Sequence, residues 1–269
     1  MKLKLIFGLT FAVMLLMACS LTSKTGTSPT SPGPTQGGNN SSSGQQPTPG
    51  GNATPNPVPV NFTDGLGSLN SYQMNFTIHS IGPDPAQSSS FVVLTQYSQD
   101  QEAQFSQITN NTIPAGGGEP STSDTQIYQI GNDKCSGSEE DWSWSSLAPN
   151  EAEMWNLLQS MFSLHPLIND PVFVAAETVN GIPSNHFTFK ISGLGASSGA
   201  TVLANEGEYW LAVEGKYIVK YHLHVGTSTD PTSNILNEDV SIEMTGINQP
   251  VSIAFPQGCL DASQVTPTP

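Results

Sequence analysis

Residues 72–81 read YQMNFTIHSI, and the alternation along them decides the fold class. Tyr72, Met74, Phe76 and Ile78 fall on one side of an extended chain, with Gln73, Asn75, Thr77 and His79 on the other. Apolar against polar with a period of two is the pattern of a strand that buries one face. Working outward, the same kind of segment recurs as SFVVLTQYS (90–98), QEAQFSQIT (101–109), TQIYQIG (125–131), VFVAAETV (172–179) and NHFTFKIS (185–192). EYWLAVE (208–214), KYIVKYHLHVG (216–226), DVSIEMTGI (239–247) and PVSIAF (250–255) complete the series. Asn180-Gly181 and Glu214-Gly215 stand between strand pairs, where a tight hairpin needs positive φ. The reading is a mainly β (α+β) domain of about ten antiparallel strands.

One segment departs from that period. Asn150, with Glu153 three residues on, forms a capping-box pattern, and Pro166 ends the run. Between them Met154, Trp155, Leu157, Leu158, Met161 and Phe162 recur at helical spacing and make a broad apolar face. Phe62, Leu66 and Leu69 give a weaker helical signal at the domain start. A single sheet of this many strands must curl, and a helix is the natural cover for its concave side. The expected architecture is therefore an unclosed antiparallel barrel, or strongly curled sheet, with one or two helices over the concave face. Met74, Phe76, Ile78, Trp155, Leu158, Met161, Phe162 and Trp210 are the expected lining of its interior. Adaptable methionines and large rings suit a variable apolar ligand, and they equally fill a solid core. The sequence leaves filled and hollow open.

The N-terminus opens with MKLKLIFGLTFAVMLLMACS. Lys2 and Lys4 precede an apolar stretch from Leu5 to Ala18, which is shorter than the roughly 20 residues a spanning helix needs and matches a secretory signal over 1–18. Leu16-Met17-Ala18-Cys19 resembles the lipobox of bacterial lipoproteins. That resemblance implies a diacylglycerol on the Cys19 thiol, cleavage before it, and stable anchoring in the cell membrane or outer envelope by two or three acyl chains such as palmitate. Residues 19–60 follow as a tether: of the 41 residues 20–60, 36 are Ser, Thr, Pro, Gly, Asn or Gln, too little apolar surface to offset the entropy of ordering. As a flexible coil they would span roughly 35 Å. The folded domain is 61–269.

Charge narrows the partners. All seven basic residues are lysine, and only four of them lie in 61–269, against all 22 acidic residues. Such a domain cannot neutralise a phosphate backbone, which excludes nucleic acid. Three cysteines are present; with Cys19 lipidated, Cys135 and Cys259 form an even pair in an exported protein, and a disulfide between them is expected. No catalytic or metal site is expected, and no cofactor. Gly195-Ala196-Ser197-Ser198-Gly199 spells a nucleophile elbow but lies in a Gly/Ser loop between antiparallel strands, not between a parallel strand and a helix. His222 and His224 share one side of a strand without a third ligand, and Glu139-Glu140-Asp141 lacks the spacing of a calcium loop.

Taken in order, the lipobox, the tether, SYQMNFTI, ETVNGIPSNHFTFKI, GEYWLAVEGKYIVKYHL and EMTGINQPVSIAFPQGC resemble the LppX/LprG-type lipoproteins and the wider LolA/LolB carrier superfamily. The resemblance implies an unclosed antiparallel barrel around a hydrophobic cavity plugged by helices, holding the acyl chains of lipids or lipoproteins. The lack of arginine departs from the family's cationic partners for a lipid phosphate. Two functions are carried forward: a monomeric, lipid-anchored extracytoplasmic binder of a hydrophobic ligand, active in lipid or lipoprotein transport, and a surface structural or interaction module with a packed interior and no ligand. Neither is an enzyme.

Overall fold

The structure is a computed structural model, and it describes residues 65–82, 87–114, 118–138, 141–146, 168–191, 201–228 and 235–264. They form eleven strands: β1 Ser71–Ile81, β2 Ser88–Ser98, β3 Ala103–Ile113, β4 Ser121–Ile130, β5 Asp133–Ser138, β6 Asp141–Ser146, β7 Ile168–Val179, β8 Ile182–Ile191, β9 Thr201–Ala212, β10 Ile218–Ser228 and β11 Ile235–Thr245. A helix, α1 (Gln257–Gln264), closes the described chain. All neighbouring strands are antiparallel in one sheet of order β6-β5-β4-β3-β2-β1-β11-β10-β9-β8-β7. The chain meanders outward from β1 to the edge strand β6, resumes at the opposite edge with β7, and returns to the middle, where β11 pairs with β1. Residues 147–167 join the two edges, and the sheet is unclosed.

Hydrogen bonds across its end show that the sheet curls. Asn180, in the turn between β7 and β8, donates from Nδ2 to the Met244 carbonyl on β11 at 2.9 Å and to Glu243 Oε1 at 3.2 Å. In a flat sheet three to four strand spacings, about 14–19 Å, would separate them. The turn that permits this is the one its dipeptide calls for: Asn180 has φ 52° and Gly181 φ 81°. At the same end Gly65 (φ 75°) comes so near the β9–β10 turn that a Cβ on it would lie 2.1 Å from the Gly215 carbonyl oxygen.

The inner face is the one the alternation in β1 assigns. Tyr72, Met74 and Phe76 are buried with Ile242 and Met244 of β11, Tyr221 and Leu223 of β10, Tyr209 of β9 and Phe187 and Phe189 of β8. Rings stack from strand to strand, Phe187 on Tyr209 at 5.1 Å and Phe189 on Tyr221 at 5.5 Å, pairs worth about 0.5–1.5 kcal/mol each beyond their burial. Gly207 makes room: the Phe189 ring lies over its Cα, where a Cβ would sit 2.2 Å from the ring.

At the β4–β6 end a second apolar cluster forms on the outer face. Phe105, Tyr128, Trp142 and Trp144 lie there, with Phe255 packed 4.7 Å from Trp144 and 6.5 Å from Tyr128. Cys135 on β5 bonds Cys259 on α1, with Cα atoms 5.8 Å apart and a sequence separation of 124. The Gln101 side chain holds the incoming segment in both directions, accepting from Ile253 N at 2.9 Å and donating to Ile253 O at 3.4 Å.

Several sequence expectations need correction. The described residues hold eleven strands, in keeping with about ten; the short Ser-rich β5 and β6 are the two that the alternating segments do not include. Residues 250–255 are extended but enter no ladder; their alternation is real because Ile253 is buried and Phe255 packs against Trp144 and Tyr128 on the outer face. Of the initial helical signal, Leu66 lies in a 3-10 turn, Leu66–Ser68, and Leu69 caps it, while Phe62 lies outside the described residues. The expected helix between Asn150 and Pro166, with Trp155, Leu158, Met161 and Phe162, lies outside the described residues, as do Ser197 and its flanking glycines, Cys19, the signal segment and the tether.

A cavity at the end of strands β1 to β4

Antiparallel register lines up one inner-face residue from each of four strands: Tyr72 of β1 opposite Tyr97 of β2, Tyr97 opposite Gln104 of β3, and Gln104 opposite Gln129 of β4. This row floors a cavity of about 410 Å³, whose lining is completed by Leu66 and Gly67 from the 3-10 turn and by Glu102 and Ala103 from the start of β3. The turn is held over it by its own bonds, Ser68 N and Oγ both donating to the Gly65 carbonyl at 3.1 and 2.6 Å, and buried Leu66 is its plug. Below it the chain is fixed where Asn248 N donates to Ser71 O at 2.9 Å and Asn70 N to Asn248 Oδ1 at 2.9 Å.

Tyr72 and Tyr97 stack with centroids 5.2 Å apart. Burial, with a smaller contribution from Tyr97, pushes the Tyr72 phenol well above its ordinary range, so it remains a hydroxyl. Tyr72 is 1% exposed and Gln104 8%, yet the Tyr72 hydroxyl and Gln104 Nε2 have no hydrogen-bond partner among the described residues. A buried polar atom left unpaired costs about 1–3 kcal/mol, so native proteins keep few of them. One row along, Thr95 (0% exposed) and Ser106 (2%) share a 3.1 Å hydrogen bond. Tyr209, whose hydroxyl is also unpartnered and pushed up by burial to about 12, belongs to the aromatic stack.

Of the residues named from sequence, Met74, Phe76 and Ile78 lie on the inner face but form no part of this lining: Met74 and Phe76 are packed into the core and Ile78 lies against it. Trp210 is on the outer face. It stacks on His186 at 4.2 Å, donates from Nε1 to Glu177 at 2.7 Å and receives Lys220 Nζ over its ring at 4.8 Å. Apolar residues run unbroken from Tyr209 to Leu211, so alternation could not say which of them faces inward. His222 and His224 do share a side, and their common neighbour is Asp239, at 3.6 and 2.9 Å. Among the described residues no group of three or more His, Cys, Asp or Glu is placed to hold a metal ion.

The structure is similar to several solved ones. The lipoprotein LppX of Mycobacterium tuberculosis matches with a TM-score of 0.31 and 14% identity over 72% of this chain and 94% of that one. LprF from Mycobacterium bovis matches with a TM-score of 0.33 and 10% identity over the same shares. A LolA superfamily protein from Nitrosomonas europaea gives a TM-score of 0.20 and 11% identity, covering 71% of this chain and 89% of that one. No family model and no curated protein matches the sequence. Among the described residues no helix is long and apolar enough to cross a membrane.

Proposed function

We propose that the protein is a lipid-anchored extracytoplasmic domain that binds a hydrophobic ligand without covalent chemistry. The observation that carries this reading is the cavity: the inner face is close-packed from β8 through β11 to β1, then opens over β2–β4 into about 410 Å³ walled by Leu66, Tyr72 and Tyr97. That volume lies within the range of small-molecule sites, which are apolar with a few placed polar groups. The N-terminal signal, the Leu16–Cys19 lipobox and the 19–60 tether support attachment through Cys19 at the cell membrane or outer envelope, with the domain held off the surface. A role in carrying lipid or lipoprotein is what the resemblance of its sequence motifs implies.

Native mass spectrometry of the full chain purified from its own membranes tests both halves. The expected result is a co-purified apolar molecule in stoichiometric amount, and a Cys19→Ala protein that leaves the membrane fraction. Retention of that variant on membranes after a high-salt wash would refute the anchor. The close packing around Tyr209 and Phe187 favours the second reading, a packed surface module. A fluorescent fatty-acid probe separates the two, saturating a binder and ignoring a packed module.

A further inference from the structure

The outer faces of the two arms of the sheet differ in charge. On β8 to β11 the outward side chains include Lys190, Glu206, Glu208, Lys220, Asp239 and Glu243. On β1 to β4 every second residue points outward, from Gln73 to His79, Ser90 to Gln96, Phe105 to Asn111 and Thr122 to Tyr128, four per strand and sixteen in all. Asp124 is the only carboxylate among the sixteen and His79 the only imidazole; none is lysine, and six are amides, Gln73, Asn75, Gln96, Gln107, Asn111 and Gln126. None of the sixteen is buried. We propose that this face of β1 to β4 is a binding surface for a neutral polysaccharide. It lies on the opposite side of the sheet from the cavity, so it goes beyond the hydrophobic-ligand reading and does not depend on it.

Register sets the amides and hydroxyls in a lattice, about 4.8 Å apart across strands and about 6.8 Å along them. A side-chain amide carries donors and an acceptor in one plane, and a sugar hydroxyl both donates and accepts, so one amide matches two adjacent hydroxyls of a ring. Hydrogen bonds between strands order the lattice before a ligand arrives. Gln107 Nε2 donates to Asp124 Oδ2 at 2.7 Å, Asn111 Nδ2 to Ser90 Oγ at 3.2 Å and Thr122 Oγ1 to Asn111 Oδ1 at 2.8 Å. Gln107 and Asn111 each carry a second N–H for a ligand, and side chains already ordered lose less freedom on binding. Phe105 and Tyr128 border the lattice with half-buried rings, apolar surface for the C–H side of a sugar. Charge decides against other polymers. A phosphate- or sulfate-bearing chain meets no lysine on this face. A cationic chain meets one carboxylate, and that one already accepts from Gln107 and, at 3.3 Å, from Thr109. The centre of a protein interface is rich in aromatic side chains, whereas here the rings stand at one border.

Native affinity electrophoresis of the full chain in neutral detergent tests the surface, with hydroxyethylcellulose, galactomannan, dextran or dextran sulfate cast in the gel. At least one of the three neutral polymers should retard the chain, and dextran sulfate should not. Gln107→Ala/Gln126→Ala should weaken that binding about tenfold, the ratio expected for two modest hydrogen bonds, at an unchanged melting temperature. Asn75→Ala, at an exposed position of the same face, should weaken it about threefold and reads the surface even where the double variant melts lower. His222→Ala, on the outer face of the other arm, should bind as the parent does. Retardation by none of the neutral polymers, or by dextran sulfate as strongly, would overturn the surface. Parental binding in both amide variants would do the same. Self-association of the chain that the double variant abolishes would give the face to a second copy and overturn it as well. Each of these results leaves the hydrophobic-ligand reading standing, because the cavity lies on the other face.

Discussion

Two arms of one sheet solve the burial problem on opposite faces. In β8 to β11 and β1 the apolar residues point inward, Phe187, Tyr209, Tyr221, Ile242 and Met74, while the outer face carries His186, Lys220, His222, His224 and Glu243. Across β1 to β6 the polarity changes sides. The inner row runs Tyr72, Tyr97, Gln104, Gln129, Lys134, and the adjacent outer row runs Gln73, Gln96, Phe105, Tyr128, Cys135, Trp144. The crossover falls between β2 and β3. On one side of it a core forms inside the curl; on the other a core forms outside, under Phe255 and α1. Where the inner face turns polar it does not close on itself, and the cavity is found there. A sheet of alternating strands therefore need not have one apolar side.

If the arms are separate cores, damage to them should add. Phe187→Ala removes a 2% exposed ring stacked on Tyr209 and edge-on to Phe173 at 5.7 Å, with an expected loss of about 3–5 kcal/mol. Cys259→Ser opens the link that pins α1 to β5, with an expected loss of about 2–5 kcal/mol, and Cys135→Ser should cost the same. The two sites lie on opposite faces and share no partner, so the Phe187→Ala/Cys259→Ser protein should lose the sum within about 0.5 kcal/mol in urea unfolding. A shortfall of several kcal/mol would mean that one core supports the other and the division into arms is wrong.

The crossover is probed more gently by the Thr95–Ser106 pair. Thr95→Val or Ser106→Ala alone leaves a buried hydroxyl without its partner, at an expected cost of about 1–3 kcal/mol. The double variant removes both hydroxyls and should recover most of that loss. Set beside Tyr72→Phe, which removes a hydroxyl with no hydrogen-bond partner among the described residues, the series distinguishes satisfied from unsatisfied positions on the same face. Equal losses from Thr95→Val and Tyr72→Phe would erase that distinction.

Most of the strand layout could be read from the alternation, because the packed arm obeys it: in β1, β8 and β10 the apolar residues keep to one side over most of the strand. The Asn180-Gly181 turn was legible for an equally local reason. What failed did so where the second core lies. β6, DWSWSS, alternates tryptophan with serine, but it is six residues long and opens on the acidic run Glu139-Glu140-Asp141, so the series of strands passes over it. Residues 250–255 read as a strand because Val251, Ile253 and Phe255 alternate, though their burial comes from the outer face of other strands and not from a ladder. The cavity was hidden more deeply. Gln104 and Gln129 are glutamines on strands, which in sequence suggest solvent; only the register that aligns them with Tyr72 and Tyr97 places them inside. The one hint is that β3 has no consistent apolar side, Phe105 standing on one and Ile108 on the other.

The smallest expected effect lies at the far end of the packed arm. Glu238 on β11 pairs with Ser80 of β1 and Val225 of β10, an inner-face position, and its carboxylate accepts from Ser80 Oγ at 3.3 Å. Burial raises its pKa above the ordinary carboxylate value, and the Ser80 hydrogen bond opposes that rise without cancelling it. A raised acid pKa means that the folded chain binds more protons than the unfolded one between the two values. Stability then falls as pH rises through that window, and the full penalty is present above the folded value. Glu238→Gln keeps the shape and removes the charge. It should therefore raise the melting temperature at neutral pH, by less than either buried-core substitution lowers it. The advantage should disappear as the pH drops into the carboxylate range, where both states of the parent are protonated. A variant no more stable at neutral pH would mean that water reaches this carboxylate freely, and the dry inner face of the packed arm would then stop short of Glu238.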